Sequence, residues 1–350
     1  MDTSPLFERI AAAGRIDADD VLALRREVFE DGGVSREEAR AVFELNRACA
    51  EKDESWLDFF VDELTYYFIY QAPPRGYMSE ENARFLIDEV TRDGRKLGAA
   101  ELQLVVNVID RAHHCPETLV AFALEALKDG VLDPASCSFG RGRAPGVVTE
   151  ADTELIRSII HGSGGGGSYT LTRREADLLF ELSRSSDAAT NALAWRELFA
   201  AGVGSYLLFP AVDVPEVDSA EEIMERRAWF ASQAKSGSFL KALGRALASP
   251  DFDEAARSLD FFGRHSKEQE ATRAARDAQR HAVVNEEEAA WLLAKLDPAA
   301  GRTLSEDEKA LLAFVRSRAD AVHVSLEPLM EKAGLGAPKP SPCHRSHHAA

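Results

Sequence analysis

Apolar residues recur along this chain at helical spacing. Val21, Leu24 and Val28 fall on one face, with Arg25 placed to cap the stripe or reach an inner carboxylate. Ala39, Val42, Phe43 and Leu45 repeat the pattern on the next segment. Leu102, Val105, Val106, Ile109 and Ala112 draw a third stripe. The run LTYYFIY (64–70) has strand-like composition, but it follows WLDFFVDE without a breaker. One aromatic helix is predicted there. No regular series of alternating strands occurs, so the predicted fold class is all-α.

Polar signals set the helix starts. Ser79 and Asn285 are predicted N-caps, each followed by acidic residues. Ser35 with Glu38, and Thr172 with Glu175, spell the capping box S/T-x-x-E.

The helical segments recur. VSREEARAVFELNRAC (34–49) aligns without gaps on LTRREADLLFELSRSS (171–186), with seven of sixteen positions identical, among them Arg36/Arg173, Phe43/Phe180 and Arg47/Arg184. Upstream, Asp20 and Arg25 match Asp152 and Arg157; downstream, Trp56, Phe60 and Tyr67 match Trp195, Phe199 and Tyr206, all at equal spacings. Residues 76–112 resemble 283–319, with Glu101 and Glu308 in matching places and Pro116 and Pro328 punctuating both. A duplicated helical-hairpin bundle is therefore predicted, two copies of a two-hairpin unit: 16–70 and 76–132, then 148–209 and 283–334. The expected divisions are a first unit over 1–132, a linker over 133–147, a second unit over 148–334 with an insertion at 210–282, and a disordered tail over 335–350. Gly, Pro and Ser mark the linker LDPASCSFGRGRAPG.

Composition narrows the function. There are 41 Lys+Arg against 59 Asp+Glu, a formal net charge of −18. Such acidity argues against broad nucleic-acid binding, which needs clustered cations. The 45% hydrophobic content is enough for a full core. No apolar run approaches the ~18 residues of a membrane span. The start, MDTSPLFERIAAAGRIDADD, lacks a basic stretch leading into an apolar one, so no secretion signal is expected. The cysteines at 49, 115, 137 and 343 form no CxxC, as for reduced thiols in a cytoplasm.

The turns inside the hairpins carry the most specific candidate chemistry. FEDGGVSREE (29–38) and TRDGRKLGAAE (91–101) each hold an Asp-Gly pair and a Glu at the next helix start. Such oxygens could ring a hard cation, as in an EF-hand. With Gly32 at loop position 6, however, Phe29 falls on a ligand position, and in the second turn Glu101 comes one residue late. The loop at 161–175 has no carboxylate before Glu175, and 296–308 keeps only Asp297 and Glu308. Helix closure by Asp-Gly and capping by Ser, Thr and Glu accounts for the same residues.

Helical pairs joined by such turns resemble the tellurite-resistance TerB-like helical family, and uncharacterised bacterial proteins built from these units. The resemblance covers 16–132 best and 148–334 more weakly. It implies an all-α bundle, Ca or Mg binding at acidic turn residues, and a stress- or envelope-linked interaction role. Four positions carry over as metal ligands: Asp31, Glu38, Asp93 and Glu101.

Other clusters have simpler readings. His113, His114 and Cys115 precede Pro116, where a helix should end and where His suits the C-terminal dipole. Cys343, His344, His347 and His348 could hold a soft metal, but on a tail without fixed geometry. GSGGGGSY (162–169) lacks the GK[ST] ending of a phosphate loop. No nucleophile elbow, zinc-protease, Walker or dinucleotide motif is present. The expected function is a non-catalytic helical binding or scaffold protein acting through contacts with a protein partner, without cofactor, nucleic acid or membrane span. A divalent-cation sensor built on the acidic turns is the alternative, and an enzyme of unrecognised family a second one.

Overall fold

The computed structural model describes residues 5–28, 33–94, 97–136, 144–163, 171–208, 282–296 and 303–336. Nearly all of the expected insertion, most of the tail and the middle of the expected linker lie outside the described residues.

Among these residues the fold is all-α, as the periodicity predicts. The helices are α1 (Pro5–Ala13), α2 (Ala18–Val28), α3 (Arg36–Ala48), α4 (Ser55–Tyr66), α5 (Glu80–Val90), α6 (Ala99–Arg111), α7 (Glu117–Leu132) and α8 (Glu150–Ser163). They continue with α9 (Arg173–Ser185), α10 (Leu193–Leu208), α11 (Glu286–Leu296), α12 (Glu306–Arg318) and α13 (Glu327–Lys332). The aromatic segment is helical throughout: α4 runs on into a π-helical turn, Tyr67–Gln71. Two parallel ladders interrupt the helices, β1 (Arg15–Ile16) with β2 (Glu51–Lys52) and β3 (Val283–Val284) with β4 (Ala321–Val322). They were not foreseen, because two residues are too few to show an alternating pattern.

The chain divides into two compact units. The first holds α1 to α7 and α8 from Glu154; the second holds 147–153 and α9 to α13.

Reciprocal caps start the helices. The side chains of Ser35, Thr172 and Ser305 accept from the N–H of Glu38, Glu175 and Glu308, and each Glu accepts from the N–H of its cap residue. Asp17 with Asp20, Thr149 with Asp152 and Asn285 with Glu288 make the same exchange. A carboxylate there satisfies an orphan N–H and meets the positive end of the helix dipole. This explains why Asp152, Glu175 and Glu308 are nearly inaccessible to solvent although acidic.

The core of each unit is aromatic, and positions matched in the sequence make matching contacts. Phe43 stands edge-on to Phe60 at 5.6 Å, and Phe180 edge-on to Phe199 at 5.1 Å. Trp56 lies 6.1 Å from Phe60 and Trp195 lies 5.9 Å from Phe199, both tilted by 37°. Tyr67 meets Phe85 at 6.3 Å, and Tyr206 meets Trp291 at 5.0 Å. Each fully buried ring contributes roughly 1.5–3 kcal/mol of transfer free energy. One closure also recurs around the hairpins. Ala50 and Asp53 donate to the carbonyls of Gly14 and Ile16; Asp320 and His323 donate to those of Ala282 and Val284. His113 donates likewise to Gly76, and Ala192 to Val148.

Candidate functional site

Of the four expected cation ligands, Glu38 and Glu101 have described side chains, and those two do not meet. Asp31 lies outside the described residues. Asp93 sits in the single turn Arg92–Gly94 after α5, where Gly94 takes a positive φ of 67°. Glu38 closes the capping box at the start of α3, its Oε2 2.7 Å from the Ser35 N–H. Glu101, in the first turn of α6, accepts from the Asn46 amide at 2.6 Å. Asn46 stands eight residues beyond Glu38 on α3, about 12 Å along the axis at 1.5 Å per residue. Glu38 and Glu101 therefore serve opposite ends of one helix. Among the described residues no group of three or more His, Cys, Asp or Glu is placed to hold a metal ion.

Glu101 belongs to a polar node under the aromatic core. The Trp56 indole N–H donates to Asn46 Oδ1 at 2.9 Å, and the Asn46 amide passes the chain on to Glu101. The second unit builds the node differently. Asp307 accepts from the Trp195 indole at 3.2 Å, from the Ser183 hydroxyl at 3.1 Å and from Arg196 Nε at 3.3 Å. Buried indole and carboxylate groups need such partners, because each unmade bond would cost about 1–3 kcal/mol. Asp307 can do this because its neighbour Glu308 takes over the capping box, leaving it facing the core.

The His113–Cys115 segment is structural. His113 and His114 join Gly76 and Met78 through backbone bonds, and the His113 ring lies 5.5 Å from that of Tyr77. Gly76 has φ +88°, and a Cβ there would come within 2.9 Å of His113. Helix α6 ends before Pro116, as expected, but already at Arg111 with Ala112 as its C-cap, so the histidines lie past the helix end rather than capping it; Pro116 is the N-cap position of α7.

An open groove of about 620 Å³ runs between α9 and α11 in the second unit. Arg173, Asp177 and Arg184 line one wall, and Glu287, Trp291 and Lys295 the other. Lys295 Nζ lies 2.6 Å from Asp177 Oδ1, which also accepts from the Trp291 indole at 3.1 Å. Arg173 faces Glu287 at 3.7 Å, and Arg184 donates to the Lys295 carbonyl. Beneath lie Phe180, edge-on to Trp291 at 5.4 Å, and Tyr206. Burial pushes the Tyr206 hydroxyl above its ordinary pKa, with Arg173 opposing. Sequence reasoning missed the groove, although Arg173 and Arg184 stand among the identities shared with 34–49. An arginine kept on the polar face of both helices was the available signal.

Comparison with protein-family models, with curated proteins and with solved structures returns no match.

Proposed function

We propose that this chain is a non-catalytic helical binding protein, built from two copies of one two-hairpin unit, and that the groove between α9 and α11 engages a protein partner. The groove carries the reading: an open surface of mixed charge, with one largely buried aromatic, Trp291, in its α11 wall. Trp and Arg are the residues that dominate binding energy at protein interfaces, and open shape suits a peptide or helix better than a small molecule. Paired charges on both walls supply orientation, since a partner must match alternating signs. The recurring cap, ring and closure contacts support descent of the two units from one ancestor. In that light the groove is a modified surface on a shared scaffold.

The test is site-directed crosslinking in cells of the source organism. A photoreactive benzoylphenylalanine replaces Ala290 or Ala294, both exposed on the groove wall. A discrete adduct is expected, lost on Lys295→Glu and on Trp291→Ala. Lys295→Glu is the decisive variant, because Trp291 also packs in the core. Adducts that persist in both variants would overturn the proposal.

A further inference from the structure

At one corner of each unit the same kinds of side chain recur. In the first unit Arg36, at the start of α3, lies over the face of Phe85 at 4.4 Å and pairs with Glu81 on α5 at 2.8 Å. Tyr67 stands edge-on to the same Phe85 ring at 6.3 Å. Helices α5 and α11 are equal in length. Counted from their caps, Ser79 and Asn285, Glu81 matches Glu287 and Phe85 matches Trp291. Arg173 and Tyr206 match Arg36 and Tyr67. Arg173 faces Glu287 at 3.7 Å, and Tyr206 meets Trp291 edge-on at 5.0 Å. Further along the same helices, Arg40–Glu89 gives way to Asp177–Lys295, so packing does not fix the sign of an ion pair there. The corner keeps its signs all the same, with Arg on one helix and Glu on the other.

Tyr67 is the unusual member. The residue is 5% exposed, yet its hydroxyl makes no hydrogen bond among the described residues. Burial raises its pKa, and the charges that act on it are Arg36, Glu37, Glu81 and Arg40. The hydroxyl therefore emerges between the first turns of α3 and α5, beside the ion pair. Tyr206, half-buried, is acted on likewise by Arg173, Asp177, Glu288 and Glu287, and its hydroxyl also makes no hydrogen bond among the described residues. Packing holds each ring, so the polar tip is fixed before anything binds. The ion pair beside Tyr67 is open to solvent, the side chains of Arg36 and Glu81 being 41% and 77% exposed.

We propose that Tyr67, Arg36 and Glu81, and in the second unit Tyr206, Arg173 and Glu287, form two like sites for an amide group of a protein partner, on its main chain or on an Asn or Gln side chain. An amide presents a C=O beside an N–H. Hydroxyl and guanidinium donate to the first, and the carboxylate accepts from the second. Each guanidinium already faces a carboxylate, so the site suits a neutral dipole rather than a further charge. The second corner lies in the groove and rests on the reading of that groove; the first does not, and Tyr67 reports it alone.

The experiment is NMR on the full chain with ring-labelled tyrosine, which gives six residues to assign by Tyr→Phe substitution. Three peptides of about eight residues are titrated. One alternates Gln with Ala, one has Glu for every Gln, and one is the Gln peptide with its main-chain nitrogens methylated. The Gln peptide is expected to shift the Tyr67 and Tyr206 signals saturably, and about equally at about 50 and 300 mM salt, since no net charge is recognised. Loss of the response with the Glu peptide places the amide on the side chain; loss with the methylated peptide places it on the main chain. Arg36→Gln should weaken the response at Tyr67 about fivefold, as for loss of one hydrogen bond, and leave that at Tyr206. Glu81→Ala should weaken it similarly and turn the preference toward the Glu peptide, and it decides the matter if Arg36→Gln fails to fold. No shift at Tyr67 with the Gln peptide, equal shifts with all three peptides, steep loss with salt, or an unchanged response at Tyr67 in Glu81→Ala would each overturn the proposal. A retained response at Tyr67 with no crosslink from the groove would sink the groove reading and leave this one standing.

Discussion

Glu63 is predicted to make the protein less stable as pH rises from about 4.5 to about 7. The residue lies two turns into α4, 5% exposed, far from the helix start where buried carboxylates in this protein find N–H donors. Its charged partner is Arg25 on α2 at 3.6 Å, whose side chain is 50% exposed. Burial dominates, lifting the Glu63 pKa from 4.5 to about 7; Arg25 opposes this weakly, and neighbouring Asp62 adds to it. Below the unfolded pKa both states hold the proton and Glu63 is neutral in effect. Between the two pKa values the native state holds a proton that the unfolded chain has lost, so stability falls with pH. Above about 7 both are ionised and the full penalty stands. At 1.36 kcal/mol per unit the ceiling is about 3 kcal/mol, and relaxation with partial hydration around Arg25 brings the expectation to about 2 kcal/mol. Glu63→Gln removes the titration while keeping shape. Urea unfolding of both proteins at several pH values from 4 to 8.5 checks it. The curves should coincide near pH 4, diverge between about 4.5 and about 7, and run apart by a constant amount above that, with the variant more stable. Parallel curves, or a variant less stable at pH 8, would refute the reasoning. The matching position in the second unit is Gly202, set against Leu171 and Leu179, so an ionisable group is no requirement of the helix packing there.

Three further outcomes are expected. Gly204→Ala should destabilise by about 1–3 kcal/mol, read as a lowered melting temperature, because a Cβ would lie 2.3 Å from the Phe314 ring where α10 packs on α12. Thr172→Ala should cost about 1 kcal/mol by removing the capping hydroxyl of α9, with Thr172→Ser restoring most of it. Cys49, buried and 3.7 Å from the Ile10 carbonyl, has its thiol pKa raised chiefly by desolvation. It should resist a chromogenic disulfide reagent at pH 8 until denaturant is added, and rapid labelling of the native protein would contradict that.

The helices were legible because each carries its own record: an apolar stripe at helical spacing and, at most starts, a cap residue three positions before a carboxylate. Ser35, Thr172 and Ser79 cap the helices that the sequence assigns to them. The Asp-Gly turns admit two readings for a physical reason. The same oxygen-rich, glycine-permissive chemistry serves a cation loop and a helix terminus. Of the two carboxylates, Glu38 caps α3 and Glu101 answers Asn46. What stayed hidden was contact at long separation. No spacing rule links Arg40 to Glu89 or Trp195 to Asp307, because the pairs join different hairpins across 49 and 112 residues.

The same contacts show how two units can share a framework and differ in surface. The rings of Phe43 and Phe180 keep their geometry, and so do the two tryptophans. Core rings are coupled through close packing, so a change in one must be met by its neighbours. Ion pairs between helices can be exchanged as sets: Arg40–Glu89, whose carboxylate is buried, and Lys295–Asp177 hold matching positions with their signs reversed. The exchange alters local charge rather than the frame: arginines gather on Glu89 between α3 and α5, whereas at the matching position Lys295 pairs with Asp177, which also accepts from Trp291.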